Sequence, residues 1–380
     1  MIFFILIIYF ISNLNIISMT KHSSINFYER QKRGILMNGQ NLWSEKVIPY
    51  FVHPKLDPTL IKVAFQRISR ETCLFFPRQK HYNESLFVFL PGNHYETNLG
   101  KKNEIPHKIF IPLSLIDIGK TTREILRALG IEYEHNRIDR DHYVTINYRN
   151  INHEFRKYFI KDFQRFTVNY GSSYDYRSIM HFQANEYSKN HRKTIRAQNT
   201  FMEPLMDKSQ YPSFYDIKLL NKKYCTFRSI AHPECFLNGY QHPRTPHICK
   251  CLPFTFGDQC ENIIHQHQHC TGNNFFFVTR SPRRNTTQVG GRCVFFFRAR
   301  ERKRILLILK FNVPNNRRHR ECNEKNSIEI KTASDIAVGG VLFCPNGKTL
   351  KFISPFNMVT IISNFFPPTN LQLNITYVHC

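Results

Sequence analysis

The chain has 380 residues, a net charge of +25 and eleven cysteines. Its length suffices for two or three domains. Ten of the cysteines lie between Cys225 and Cys380, which favours small disulfide-bonded modules in a secreted chain and leaves one thiol without an intrachain partner. Nucleic acid is not an expected partner, because a secreted chain does not meet it and no motif that reads it is present.

The chain begins with an apolar run over residues 1–18 that is short for a membrane span and fits a signal peptide. We expect cleavage around Ser18, with an uncleaved membrane anchor as the alternative. A short propeptide over residues 19–33 would follow, and cleavage after Arg33 in the basic run RQKR would make Gly34 the new N-terminus. No later apolar run is long enough to cross a bilayer, so the sequence predicts a secreted, extracellular product with no membrane span after maturation.

Helices and short strands are predicted to alternate over residues 34–225, which is an α+β domain. The apolar patterns predict a strand ending at His53, a helix and then a strand over 59–76, strands at 85–90 and 108–113, and a helix over 120–130. Gly130 is the expected stop of that last helix, because glycine readily adopts the left-handed conformation found there.

The C-terminal part of the chain changes character at residue 235. Residues 235–260 are rich in cysteine, glycine and proline, and they are too few to bury a core without disulfides. The run HQHQH at 265–269 is interpreted as a linker. Residues 270–380 contain runs rich in Phe, Ile and Val that are separated by turn signals, which predicts an all-β sandwich.

Two surface features suit an extracellular protein. Three Asn-x-Ser/Thr sequences are candidate glycosylation sites, at Asn83, Asn285 and Asn374. Two basic runs are interpreted first as a solvated surface, and contact with an extracellular polyanion such as a sulfated glycan is the alternative. The residues of this predicted polyanion patch are Arg298, Arg300, Arg302, Lys303, Arg304, Arg317, Arg318 and Arg320.

Several ordered stretches of the first domain resemble the astacin family of zinc endopeptidases. The spacing from Gly34 to Trp43 and VIPY matches the mature N-terminus of that family. HNRIDRDHYVTINYRNI at 135–151 matches the segment after the catalytic helix, and SSYDYRSIMHF at 172–182 matches the Met-turn, with Met180 beneath the metal. The resemblance implies a two-lobed, metzincin-like peptidase domain over 34–225.

The C-terminal modules resemble an EGF-like domain (226–264) followed by a CUB domain (270–380), a tail that many nematode and other animal members of the family carry. The EGF-like segment is abbreviated, because the pair that would link its first and third cysteines is missing. The resemblance leaves Cys380 as the odd thiol. The disulfides that it implies are Cys73–Cys225, Cys235–Cys249, Cys251–Cys260, Cys270–Cys293 and Cys322–Cys344.

The family's motif His-Glu-x-x-His-x-x-Gly-x-x-His holds zinc on three histidines and uses the glutamate as general base. Carried over residue by residue, the ligands fall on Arg123, Arg127 and Tyr133, and the base falls on Glu124. A guanidinium has no lone pair to donate, and two of them would repel a dication by on the order of several kcal/mol. We therefore predict no zinc cofactor, and we expect Glu124 to be idle as a base and to pair with Arg127 or Arg123.

Other family positions are also altered. Phe182 stands where a tyrosine of the Met-turn contacts the metal, and Tyr95 and Leu115 stand where a cleft-bracing disulfide is expected. Glu134 is retained, and the resemblance implies that it pairs with the new amine of Gly34. The residues that we interpret as structural rather than chemical are Met180, His181, Asp139, Arg140 and Asp141.

The sequence thus predicts a secreted astacin-like protein that is catalytically inactive and keeps its fold to bind extracellular proteins or peptides. An active zinc endopeptidase with a rebuilt metal site is one alternative. Attachment to matrix or to a polyanion through the CUB domain is another, and it is compatible with the first hypothesis.

Overall fold

The computed structural model describes residues 34–36, 41–114, 116–161, 167–168, 171–206, 209–226, 233–313, 325–332 and 335–380. Several predictions fall outside these residues. They are the signal peptide, the propeptide with Arg33, the role of Leu115, the Cys322–Cys344 bond through Cys322, and the part of the polyanion patch formed by Arg317, Arg318 and Arg320.

The described part of residues 34–225 is built on a four-stranded sheet and three α-helices. The sheet has the order β2-β3-β5-β4, in which the first three strands are parallel and β4 is antiparallel to β5. The strands are β1 Ile35–Leu36, β2 Tyr50–Val52, β3 Phe87–Gly92, β4 Glu96–Thr97, β5 His107–Pro112, β6 Val144–Ile146, β7 Thr167–Val168 and β8 Ile195–Ala197. The α-helices are α1 Pro58–Ser69, α2 Ile118–Ala128 and α3 Phe214–Tyr224. Short 3-10 helices are Tyr82–Glu84, Glu134–Asn136, Arg140–His142, His153–Phe159 and Glu203–Leu205.

Capping residues mark the starts of α1 and α2, and a glycine follows the end of α2. Asp57 caps α1 by accepting a hydrogen bond from Thr59 N at 2.7 Å, and Asp117 caps α2 by accepting from Lys120 N at 3.0 Å. Helix α2 ends just before Gly130, whose φ of 96° is in the region that favours glycine. The predicted stop of this helix is therefore confirmed.

One predicted element is wrong. No strand follows α1 within 59–76; Phe75 makes only an isolated bridge with Val47. The physical reason lies in the next residues, because Pro77 has no N–H with which to extend a ladder. Cys73 is also tied to Cys225, which holds this segment against the end of α3.

Residues 235–263 form two small hairpins. One pairs β9 Tyr240–Gln241 with β10 Cys249–Lys250, and the other pairs β11 Thr255–Phe256 with β12 Asn262–Ile263. Two-residue strands cannot bury a core, so the two disulfides in this segment must hold it. Disulfide bonds present among the described residues are Cys73–Cys225, Cys235–Cys249, Cys251–Cys260 and Cys270–Cys293. Cys380 is a free, exposed thiol.

The C-terminal segment consists of two sheets that enclose an apolar core. The five-stranded sheet has the order β13-β15-β20-β17-β18, and the four-stranded sheet has the order β14-β21-β16-β19. The strands are β13 Phe275–Phe277, β14 Arg283–Gln288, β15 Arg292–Arg298, β16 Ile305–Asn312, β17 Ile328–Lys331, β18 Val341–Phe343, β19 Thr349–Ile353, β20 Met358–Asn364 and β21 Gln372–His379. Alternation along β16, with Leu307 and Leu309 buried and Lys310 exposed, is the pattern of a strand with one face in a core.

The sandwich contacts the first half of the chain directly. Arg177 Nη1 lies 3.2 Å from Glu329 Oε1, and Gly339 N donates to Asp175 Oδ1 at 3.3 Å. A cavity of about 1080 Å³ lies at this junction. No helix among the described residues has the length and apolarity needed to cross a membrane.

Candidate functional site

Helix α2 is the one that the resemblance aligns with a catalytic helix, and it carries Arg123, Glu124 and Arg127. Arg123 is buried and forms a bidentate ion pair with Glu186: Nη1 donates to Oε2 at 3.1 Å and Nη2 to Oε1 at 2.6 Å. Burial alone would raise the pKa of Glu186, but the Arg123 guanidinium outweighs it and the pKa falls to about 2. Lys120 Nζ, at 3.4 Å, also contacts this carboxylate. The positive charge of Arg123 is therefore balanced by Glu186, and the pair holds α2 against the segment that carries Glu186.

Arg127, one turn further along α2, has a different carboxylate partner. Its Nη1 forms a short ion pair with Glu132 Oε1, and its Nε donates to Thr97 O at 3.4 Å. Burial would lower the pKa of Arg127, but the Glu132 carboxylate raises it above the ordinary value. The guanidinium carbon also lies 4.1 Å from the centre of the Tyr133 ring, which is within cation–π range.

Glu124 and Tyr133 lie between these two ion pairs. The Tyr133 hydroxyl donates to Glu124 Oε1 at 3.4 Å, and Arg123 Nε lies 3.5 Å from the same oxygen. Among the described residues nothing hydrogen-bonds the other oxygen, Glu124 Oε2, although it is buried. Burial raises the pKa of both Glu124 and Tyr133, and the nearby Glu124 carboxylate raises that of Tyr133 further. Arg123 and Arg127 act in the opposite direction on both pKa values, but burial outweighs them.

Aromatic rings fill the space in front of these groups. The Phe182 ring centre lies 4.6 Å from that of Tyr133 and 4.1 Å from that of His135, and the Arg123 guanidinium carbon lies 4.7 Å from it. Phe182 and His135 are fully buried. A cavity beside Arg123 has a volume of about 20 Å³, which is room for about one water molecule. The region therefore packs as a core and does not open as a cleft at this point.

Comparison with known proteins identifies the first half of the chain. The family profile described as Astacin, a peptidase family, matches residues 36–225, which is half of the 380-residue chain. The chain belongs to the astacin family. The resemblance predicted from the sequence is confirmed at the level of the family.

Two curated astacin relatives from Caenorhabditis elegans are similar over most of this chain. Zinc metalloproteinase nas-34 is 26% identical over 354 residues, covering 92% of this chain and 58% of the relative. Zinc metalloproteinase nas-29 is 29% identical over 351 residues, covering 87% of this chain and 64% of the relative. The chain thus spans about three-fifths of the length of these relatives. The solved structure of high choriolytic enzyme 1, a hatching enzyme zinc-protease from medaka, is 26% identical, covers 50% of this chain and 98% of its own, and has a TM-score of 0.44.

The side chains at the three ligand positions do not fit a zinc ion. Arg123 and Arg127 offer no lone pair, and each is engaged by a buried carboxylate. Tyr133 could ligate only as a phenolate, and its surroundings favour the neutral phenol. Among the described residues no group of three His, Cys, Asp or Glu side chains is placed to hold a metal ion. No catalytic step through zinc is therefore derived for this astacin-family chain.

Side-chain contacts within the fold hold the segment after α2, which contains Asp139, Arg140 and Asp141. Arg137 pairs with Asp139 through two hydrogen bonds of 2.7 and 2.8 Å. Arg140 Nη1 donates to His135 O at 2.9 Å, and its Nε donates to Asp141 at 3.1 Å. These contacts join neighbouring side chains of the segment to one another and, through Arg140, to its backbone.

The Met-turn is anchored in the same structural way. Met180 is fully buried, and its carbonyl accepts a hydrogen bond from Glu134 N at 3.0 Å. His181 Nε2 is 2.7 Å from the hydroxyl of Tyr174 in a hydrogen bond. Tyr95, at one place of the missing family disulfide, accepts a hydrogen bond from Asp117 N at 2.7 Å, so it braces the start of α2 by another route.

Glu134 has protein partners in this structure. Its carboxylate accepts from Arg137 Nη1 at 3.0 Å and from Asp175 N at 3.1 Å. Gly34 is buried, and its carbonyl accepts a hydrogen bond from Glu132 N at 3.3 Å. Pairing between Glu134 and a new amine at Gly34 stays a prediction.

The surface sites predicted from sequence differ in accessibility. Asn83 and Asn374 are exposed. Asn285 is partly buried, and its Nδ2, the atom that glycosylation would modify, donates to Tyr377 Oη at 3.3 Å. The described residues of the polyanion patch, 298, 300 and 302–304, are all exposed.

Sequence reasoning missed Glu186 and Glu132, the partners of the two arginines. It named Glu124 as the partner, and Glu124 does contact Arg123, but only at 3.5 Å and beside a far better pair. For Glu132 a signal was available, because it follows Arg127 by five residues and α2 ends between them. For Glu186, which is 63 residues from Arg123, the local sequence carried none.

Proposed function

We propose that this astacin-family protein is catalytically inactive and is retained as an extracellular binding protein. The observation that carries the proposal is the buried Arg123–Glu186 pair, which occupies the first of the three ligand positions. A zinc ion there would have to displace a guanidinium from a carboxylate with which it shares two hydrogen bonds.

The remaining parts of a metallopeptidase site are also absent or enclosed among the described residues. In such a site the glutamate takes a proton from a metal-bound water. Here Glu124 is buried against Arg123 and the Tyr133 hydroxyl. Phe182 has no hydroxyl with which to stabilise a transition state. The alternative of an active enzyme with a rebuilt metal site finds no support in this arrangement.

The binding role is supported by the structural elements that the protein retains although its three zinc-ligand positions are substituted. The sheet, the α2 helix, the Met-turn and the Cys73–Cys225 bond are all present. Four disulfides favour an oxidising, extracellular location. The two disulfide-bonded hairpins and the two-sheet sandwich fit the proposed EGF-like (226–264) and CUB (270–380) modules. We propose extracellular proteins or peptides as partners.

The test is the metal content and proteolytic activity of the purified mature protein. Zinc measured by mass spectrometry should be far below one ion per chain, and casein should remain uncut with or without a chelator. One zinc per chain together with chelator-sensitive cleavage would overturn the proposal.

A restoration variant makes a negative result informative. Arg123→His, Arg127→His and Tyr133→His together should raise zinc binding above that of a matched variant with alanine at the same three positions. Equal binding by the two variants would mean that the cleft has lost the geometry of the family and not only its ligands.

A further inference from the structure

One end of the C-terminal sandwich collects basic side chains from separate segments of the chain. His379 N donates to Thr279 O at 3.0 Å, and Val278 N donates to Arg298 O at 2.8 Å. Arg304 and Cys380 exchange two backbone hydrogen bonds, of 3.1 and 2.9 Å. These bonds bring the segments 278–284 and 298–304 together beside the end of β21. We call this surface the basic end, and its residues are Arg280, Arg283, Arg284, Arg298, Arg300, Arg302, Lys303 and Arg304.

The charges of the basic end are open to solvent. All eight of its side chains belong to exposed residues, and none forms an ion pair with a carboxylate of the described part of the chain. Glu301 is the one acidic residue within these two segments. Like charges held together without counterions repel one another, and a multivalent anion would relieve that repulsion. The arrangement is therefore suited to a polyanionic partner.

We propose that the basic end binds a sulfated glycan as one continuous surface. Seven of its eight cations are arginines, whose planar guanidinium groups hydrogen-bond to tetrahedral oxyanions through two N–H groups at once. Arg283 and Arg284 enter from β14, whereas Arg304 precedes β16, and these strands lie on opposite sides of β21. Strands β14 and β16 are thus about 10 Å apart, because β21 lies between them. The five-stranded sheet, which carries Arg298, packs about 10 Å from the sheet that contains them. A surface of that extent matches a chain of sulfates better than a single anion.

This inference goes beyond the proposed inactivity of the cleft and is independent of it. It also differs from the expectation taken from the sequence, which considered only the run at 298–304 in this region. The structure adds Arg280, Arg283 and Arg284, which lie in a different part of the sequence. An anionic membrane is the competing partner, because the exposed side chain of Phe277 lies next to Arg298 on the neighbouring strand.

The experiment measures retention of the full-length mature protein on immobilised heparin in a salt gradient. Two variants each remove three positive charges from the basic end: Arg300→Ser/Arg302→Asn/Lys303→Ser and Arg280→Ser/Arg283→Ser/Arg284→Ser. Asparagine is used at 302 because the φ of that residue is 61°, where asparagine is tolerated. A control variant, Arg149→Gln/Arg156→Gln/Arg192→Gln, removes the same charge from exposed sites within residues 34–225. Glutamine is used because serine at 149 or 192 would create a new Asn-x-Ser sequence with Asn147 or Asn190.

Both basic-end variants should elute at clearly lower salt than the control, with the dissociation constant for heparin raised about tenfold, which corresponds to about 1.4 kcal/mol. If the variant at 280–284 elutes with the control, the segments do not act as one surface and the proposal fails. It also fails if heparin stripped of its sulfates is retained equally well, or if the protein binds phosphatidylserine vesicles in preference to heparin.

Discussion

Arginines serve opposite purposes in two regions of this molecule. In the α2 region Arg123 and Arg127 are buried, and each is matched by a carboxylate within hydrogen-bond distance. At the basic end of the sandwich the arginines are exposed and have no carboxylate partner among the described residues. The same side chain thus completes a core in one place and leaves a surface charged in the other.

The difference follows from the cost of placing charge in the two environments. A buried guanidinium must recover its lost hydration from a partner, so the partner becomes indispensable once the arginine is present. An exposed guanidinium keeps its water and loses little by standing alone. The first region is therefore expected to be sensitive to single substitutions in its stability, and the second only in its binding.

The largest effect is expected when one member of the Arg123–Glu186 pair is removed. Arg123→Met removes the bidentate partner of the buried Glu186 carboxylate and leaves it only Gln183 N at 3.1 Å and Lys120 Nζ at 3.4 Å among the described residues. The free energy of unfolding should therefore fall by about 3–5 kcal/mol. Urea unfolding followed by circular dichroism measures this loss.

The matched controls separate the pair from the loss of any arginine. The double variant Arg123→Met/Glu186→Met should recover most of the lost stability, because neither charge is then buried alone. Arg149→Met, at an exposed site, should change the unfolding free energy by less than about 0.5 kcal/mol. A double variant as unstable as Arg123→Met alone would contradict the pairing.

A second test uses acid. The pKa of Glu186 in the folded protein, about 2, lies below its ordinary value of 4.5. The stabilisation from this carboxylate is thus fully present above about pH 4.5 and is lost as the pH falls towards 2. Over that window the wild type should lose more stability than Arg123→Met/Glu186→Met, in which the group is missing. Equal losses of stability in the two proteins would show that protonation of Glu186 does not destabilise the folded protein as predicted.

How far the sequence could predict this comparison depends on the range of the interactions involved. The position of α2, its end at Gly130 and the family itself were accessible, because they rest on local patterns and ordered motifs. The strand predicted after α1 was wrong, because Pro77 and the Cys73–Cys225 bond override the apolar pattern there. The partner of Arg123 and the addition of Arg280, Arg283 and Arg284 to the basic run both depend on contacts between distant segments, which no local pattern contains.

A smaller effect of opposite sign is expected at Glu124. Burial raises its pKa, so keeping it ionised at neutral pH costs folding free energy, and the cost appears as the pH rises above the ordinary value of 4.5. Glu124→Gln retains an oxygen for the Tyr133 hydroxyl and removes that cost. The variant should be more stable than the wild type at neutral pH by about 1 kcal/mol, and the gain should shrink on acidification. A large loss of stability would show that the carboxylate is an essential partner of Arg123.

The smallest effect on stability is expected at the basic end. Replacing Arg300, Arg302 and Lys303 by Ser, Asn and Ser removes no ion pair seen among the described residues and relieves repulsion between neighbouring cations. The free energy of unfolding should stay within about 0.5 kcal/mol of the wild type, with any gain confined to low salt, where repulsion is least screened. Thermal unfolding at low and high salt measures both. A loss above about 1 kcal/mol would mean that these side chains stabilise the sandwich itself, and the contrast with the buried arginines of α2 would then disappear.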